Sequence, residues 1–172
     1  MQAGVTAIVF EPLHPHVEPP ARATTHSAGY DLRAYVAGRT VRCSDGHRLW
    51  EVVAQGDGDG AVVELPPGAR ALIPLGFRAR LPEGYEAQIR PRSGASFKRG
   101  IDVPNSPGTI DADYPDEWMV LVRNGTERPL RITHGERIAQ AVLARYEVLD
   151  WRAGSVAATT DRRGGFGSTG HA

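Results

Sequence analysis

Turn-forming residues interrupt this chain so often that no window of three helical turns reads as convincingly amphipathic. Pro66-Pro67-Gly68, Pro82-Glu83-Gly84, Asn105-Ser106-Pro107-Gly108, Asn124-Gly125 and His134-Gly135 each break the backbone, because proline fixes φ, glycine opens positive φ and asparagine bonds its own main chain. Between them lie short β-rich runs: Ala7 to Phe10, Ala61 to Leu65, Ala69 to Leu75, Glu86 to Arg90, Trp118 to Arg123, Leu130 to Ile132 and Ala139 to Tyr146. That spacing suits hairpins and sheet crossovers and predicts an all-β barrel or sandwich. A single short helix is expected over Arg92 to Arg99, after its proline.

With 172 residues, 41% of them hydrophobic, the chain suits one domain with a real core. Twenty basic residues balance twenty acidic ones, so no positive field exists to hold a polynucleotide. No apolar segment approaches membrane-spanning length, the N-terminus lacks a charged leader followed by an apolar stretch, and Cys43 has no partner for an internal disulfide. These features point to the cytoplasm. Asn124-Gly125-Thr126, formally a glycosylation sequon, reads as a turn. Residues Val36 to Gly60 differ in texture and read as an inserted hairpin ending in a flexible loop, whose Trp50, Val52 and Val53 could pack on the barrel, extend a subunit contact or meet another protein. The alternating aspartates and glycines at 56–60 lack the full spacing and terminal glutamate of a calcium loop and read as a solvated turn. The expected organisation is a β-barrel over residues 1–160 followed by a mobile tail over 161–172.

Five short segments carry chemistry. In Ala28-Gly29-Tyr30-Asp31-Leu32-Arg33-Ala34, strand geometry puts Asp31 and Arg33 on one side, where they could simply pair. Pro91-Arg92-Ser93-Gly94-Ala95-Ser96 sets an arginine and a serine at a helix start, a phosphate-binding arrangement or an ordinary cap. Asn105-Ser106-Pro107-Gly108-Thr109-Ile110-Asp111-Ala112-Asp113-Tyr114 reads as a turn into a strand with Asp111 and Asp113 on one face. Such carboxylates could deprotonate a water beside Asn105 or merely be solvated. Gly135-Glu136-Arg137-Ile138-Ala139-Gln140 offers an ion-pair candidate and a glutamine that needs partners once buried. Gly164-Gly165-Phe166-Gly167-Ser168-Thr169-Gly170 is too glycine-rich to order unaided; it is either a lid closing on phosphate or a flexible tail.

Taken in this order, AGYDLRA, PRSGAS, NSPGTIDADY, GERIAQ and GGFGSTG closely resemble the five motifs of the homotrimeric deoxyuridine triphosphatase (dUTPase) family, from Ala28 to Gly170. The resemblance implies a jelly-roll β-barrel assembled as a homotrimer, with each active site built from motifs of different protomers. It implies hydrolysis of dUTP to dUMP and pyrophosphate with Mg2+, by water attacking the α-phosphorus. By the same match Asp111 deprotonates that water and Asn105 helps fix it. The backbone of Gly108, Thr109 and Ile110 would read the uracil edge, Tyr114 would pack on the deoxyribose and Met119 would line the pocket from the same strand. Arg92, Ser93, Gly94 and Gln140 match phosphate contacts. Asp31 matches the acid that meets the metal through coordinated water. In the lid, Arg162, with Arg163 its rival, would clamp phosphate, Phe166 would cap the uracil, and Gly167, Ser168 and Thr169 would hold the γ-phosphate end.

The sequence departs from the family pattern in places. The lid is one residue shorter before Phe166, and Ala95-Ser96 replaces a usual Leu-Ala pair. The related dCTP deaminases, some of which also cleave the triphosphate, use a catalytic glutamate where this chain has Ile110-Asp111-Ala112-Asp113-Tyr114. Some dUTPase-like proteins act instead as regulators by binding partners, a role the 36–60 segment could add.

Overall fold

A computed structural model describes residues 7–161. Its strands are short, as the turn spacing requires: β1 (Val9–Pro12), β2 (Gly29–Arg33), β3 (Thr40–Ser44), β4 (Leu49–Val53), β5 (Val62–Leu65), β6 (Arg70–Pro74), β7 (Phe77–Arg80) and β8 (Tyr85–Pro91). The helix α1 (Ser93–Arg99) follows, then β9 (Ile101–Asp102), β10 (Gly108–Ile110), β11 (Met119–Asn124), β12 (Leu130–Thr133) and β13 (Arg137–Arg145). All seven expected β-runs and the one expected helix are present. A four-stranded sheet in the order β10-β8-β13-β2 and a five-stranded sheet in the order β4-β3-β6-β11-β9, with the ribbons β1-β7 and β12-β5, make a jelly-roll barrel in which every pairing is antiparallel. Among the described residues no helix is long and apolar enough to cross a membrane.

Side-chain alternation builds the core. On β11, Val120, Val122 and Asn124 face inward while Met119, Leu121 and Arg123 face outward, the period of two that a half-buried strand imposes. Leu32, Leu65, Ile73, Ile101, Ile132 and Ile138 are fully buried between the sheets.

The 36–60 segment does contain the expected hairpin, β3 with β4. It is nevertheless part of the barrel wall, because β3 also pairs with β6 through Cys43↔Ala71 and Ser44↔Arg70, and because Val36, Val41 and Cys43 are core residues. Trp50 and Val52 pack against that core, whereas Val53 is exposed. The hairpin turn is tied by Asp45, whose carboxylate accepts the backbone N–H of Arg48 at 2.8 Å and of His47 at 2.9 Å. These bonds, that from Arg48 first, hold its pKa down to about 2. Gly58–Gly60 forms an exposed single 3-10 turn. Burial pushes the Cys43 thiol pKa up, away from the reactive thiolate.

Asn124 is a core residue, 1% exposed. Its Nδ2 donates to the carbonyls of Leu65 (3.0 Å) and Arg128 (2.7 Å), and its Oδ1 accepts from the Thr126 N–H (2.9 Å) and hydroxyl (2.8 Å). The Asn-Gly-Thr turn is thus built around a buried amide, which closes the sequon to modification. Replacing Asn124 with alanine leaves several of these groups without partners and is expected to cost about 2–4 kcal/mol of stability. Urea unfolding of N124A with an unchanged midpoint would contradict this account.

Candidate active site

Three of the five chemistry-bearing segments meet on the four-stranded sheet, because β13 lies between β2 and β8. Gln140 stands opposite both Asp31 and Arg90, and Ala139 opposite Pro91. Arg92, the residue after β8, therefore emerges beside Asp31. Its Nε donates to Asp31 Oδ1 at 2.8 Å, and the Arg137 Nη1 donates to Asp31 Oδ2 at 3.1 Å. The Asp31 side chain is 17% exposed against 26% for Arg92 and 45% for Arg137, so the Arg92 bond is the better shielded of the two. Arg33, which shares the Asp31 face of β2, does not pair with it and donates to the Gly135 carbonyl at 2.8 Å.

The ion-pair candidates of the 135–140 segment both pair with distant residues. Glu136, in the turn before β13, meets Arg99. A bulge between Arg137 and Ala139 breaks strict alternation and brings Arg137 to the Asp31 face of the sheet, a register shift that no local pattern announces.

Gln140 finds the partner its burial demands: Nε2 donates to the Pro91 carbonyl at 2.9 Å. The amide lies so close over Gly29 that a Cβ there would push Gln140 off its present position. Gln140 thereby anchors the residue preceding Arg92, and its amide nitrogen keeps a second hydrogen for another acceptor. Ser93 and Gly94 are exposed on the first turn of α1, and no side chain caps that turn. The cap reading of this segment is thus set aside. Ser96 does different work: its hydroxyl donates to the Ile101 carbonyl at 2.9 Å, tethering α1 to β9.

The third segment, 105–114, corrects two expectations. Asp111 and Asp113 are not strand neighbours; β10 ends at Ile110 and the Tyr114 N–H closes a turn onto the Asp111 carbonyl at 3.3 Å. Met119 is not on the strand that leads into Asp111. It begins β11, which belongs to the other sheet. β10 ends early because its ladder runs to β8 alone, and the chain must turn to cross between sheets. Asp111 is exposed, and its carboxylate has no partner among the described residues. Asn105 folds over β10 so that its Nδ2 sits 2.8 Å from where a Cβ on Gly108 would stand. Tyr114 is half-buried against the core.

The structure does not bring Asp111 and Arg92 together within one chain. Ile110 pairs with Ala87, whereas Arg92 follows the far end of the same strand. Five residues along β8 at ~3.3 Å each separate them by about 16 Å. A cavity of about 770 Å³ is lined by Asp31, Arg33 and Arg137 but by none of Arg92, Ser93, Asn105 and Asp111. Arg162, Phe166, Gly167, Ser168 and Thr169 lie outside the described residues.

The dUTPase family model matches residues 61–170. A deoxyuridine 5'-triphosphate nucleotidohydrolase from Rhizobium rhizogenes is 44% identical over 154 residues, 88% of this chain and 84% of that protein. A crystal structure of the dUTPase from Streptococcus mutans superposes with a TM-score of 0.63 at 26% identity, over 83% of this chain and 98% of that one. A mutant dUTPase of Staphylococcus bacteriophage 80alpha, determined with dUpNHpp, superposes with a TM-score of 0.72 at 21% identity, over 95% of this chain and 98% of that one; at that identity it speaks for the fold alone.

Asp31→Asn removes the charge that both arginines share. The expected loss is about 1–2 kcal/mol, between the values for exposed and buried pairs. Equilibrium unfolding in urea measures it, and an unshifted midpoint would mean that neither pair contributes.

Proposed function

Because the chain belongs to the dUTPase family, and the hydrolysis of dUTP is therefore its reaction, we propose that an Asp111-activated water attacks the α-phosphorus in sites shared between copies of a homotrimer. The observation that carries this reading is the division of labour along β8: a cationic cluster at one end and an unpartnered carboxylate toward the other. A second copy supplying its Asp111 turn to the Arg92 end of the first would complete a site that one chain leaves divided.

Arg92, Ser93, Gly94 and Gln140 take the phosphates. The guanidinium is already aimed by Asp31, and the exposed first turn of α1 offers N–H groups; charge neutralisation and positioning dominate this chemistry. Among the described residues β10 pairs only with β8, so its outer edge presents unpaired backbone groups. There Gly108, Thr109 and Ile110 read the uracil edge. Asn105 steadies the water, Tyr114 packs on the deoxyribose and excludes a ribose hydroxyl, and Met119 lines the pocket from the second sheet. Residues 161–172 close over the bound nucleotide, with Arg162 on phosphate, Phe166 on the base, and Gly167, Ser168 and Thr169 at the γ-phosphate. The reaction is placed in the cytoplasm, where the single, buried Cys43 thiol remains free.

Mg2+ fits these residues in one way. Each Asp31 oxygen already accepts one arginine hydrogen bond, and no group of three His, Cys, Asp or Glu side chains gathers among the described residues. Asp31 has lone pairs left for water molecules of a hydrated ion, which suits a cation that keeps its water and is carried mainly by phosphate. When bound, Mg2+ offsets the negative charge of the triphosphate.

Asp111→Asn keeps the shape of the turn but cannot accept the proton of the water. Turnover of dUTP should fall roughly a hundredfold to ten-thousandfold; near-normal turnover would reject the assignment. In heavy-oxygen water the label should enter dUMP and not pyrophosphate. Label in pyrophosphate would show attack at the β-phosphorus.

A further inference from the structure

Glu117 lies three residues beyond Tyr114, and its side chain is only 12% exposed. Arg39 holds its carboxylate with a two-pronged bond, Nη2 to Oε2 at 2.7 Å and Nη1 to Oε1 at 3.2 Å. The N–H of Gly76 donates to Oε1 at 2.8 Å. Gly76 has a φ of +77°, and a Cβ there would press on the Tyr35 ring at 2.9 Å, so this third anchor is rigid. Arg39 is itself braced: its Nη1 lies 3.0 Å from His14 Nε2, and since an arginine only donates, that imidazole nitrogen accepts.

From Glu117 the restraint passes toward the turn. The Tyr114 hydroxyl donates to the Glu117 carbonyl at 3.5 Å, and the Tyr114 N–H closes onto Asp111. The next residue, Trp118, is fixed by its N–H to the Phe77 carbonyl at 3.0 Å and by Nε1 to the Ala79 carbonyl at 3.3 Å. Among the described residues no other side-chain hydrogen bond holds positions 111–116. The turn is therefore suspended between β10 on one side and the Glu117 anchor on the other.

We propose that Arg39 is a positioning residue for sugar discrimination, acting through Glu117 to hold the Tyr114 ring where it packs on the deoxyribose. This rests on the dUTP-hydrolysing reading above and gives the 36–60 segment, which none of the five motifs covers, a task in specificity. Arginine suits the task because its planar fork fixes an orientation that a lysine point charge does not.

The test measures kcat/KM for dUTP and for UTP with the full chain and with R39Q, R39K, E117Q and R39Q/E117Q. The ratio of the two values does not depend on how much enzyme is folded, so a merely structural role leaves it unmoved. R39Q and E117Q are each expected to narrow the preference for dUTP about tenfold, within the range one lost contact can change discrimination. R39K should recover part of that loss. The double variant should be no worse than either single one, because both remove the same restraint. Preferences within about twofold of the unmodified chain in R39Q, even with both rates reduced together, would overturn the inference. If R39Q does not fold, R39K and E117Q decide in the same way. An unmodified chain that leaves dUTP intact would instead overturn the reaction assignment, and the inference with it.

Discussion

Strand β8 is hydrogen-bonded along both edges, to β13 over Tyr85–Pro91 and to β10 over Ala87–Ile89, and the placement of Arg92, Gln140 and the Asp111 turn follows from that. A strand paired on both sides cannot slip by one residue without turning its buried face outward. Ala87 and Ile89 are both core residues, so the register is locked. With it are locked the emergence of Arg92 beside Asp31 and the departure of Asp111 toward the other end. The separation of Asp111 from Arg92 within one chain is a property of the sheet register.

The local rules of strand and turn were enough to read most of the barrel. Alternation, glycine and proline spacing located β5, β6, β8, β11, β12 and β13, and the proline before Arg92 located α1. What local rules could not supply was pairing across long sequence separations. The 36–60 segment looked like an addition because its hairpin is self-contained; only the bonds from Cys43 and Ser44 to β6 make it part of the wall. Asp111 and Asp113 looked like strand residues because nothing in their own sequence says that β10 has a partner on one side only.

The site shows the same division. Arg92, Asp31 and Gln140 were legible as polar residues in suggestive patterns, yet their partners come from 61, 106 and 49 positions away. Arg137 was visible as an ion-pair candidate, but its partner Asp31 lies on another strand. Arg39 and Glu117, 78 positions apart, carried no signal at all, since an arginine in a hairpin and a glutamate in a turn are ordinary surface residues until a fold buries them together.

The buried Asn124 has one more consequence. An asparagine followed by glycine is the dipeptide that ages fastest, because the next backbone nitrogen can attack the side-chain carbonyl and close a succinimide ring. Here that nitrogen, on Gly125, is engaged with the Gly100 carbonyl at 2.9 Å, while both ends of the Asn124 amide are held. Folding therefore shelters the chain from spontaneous deamidation at this bond, and damage there should wait on local opening of the turn.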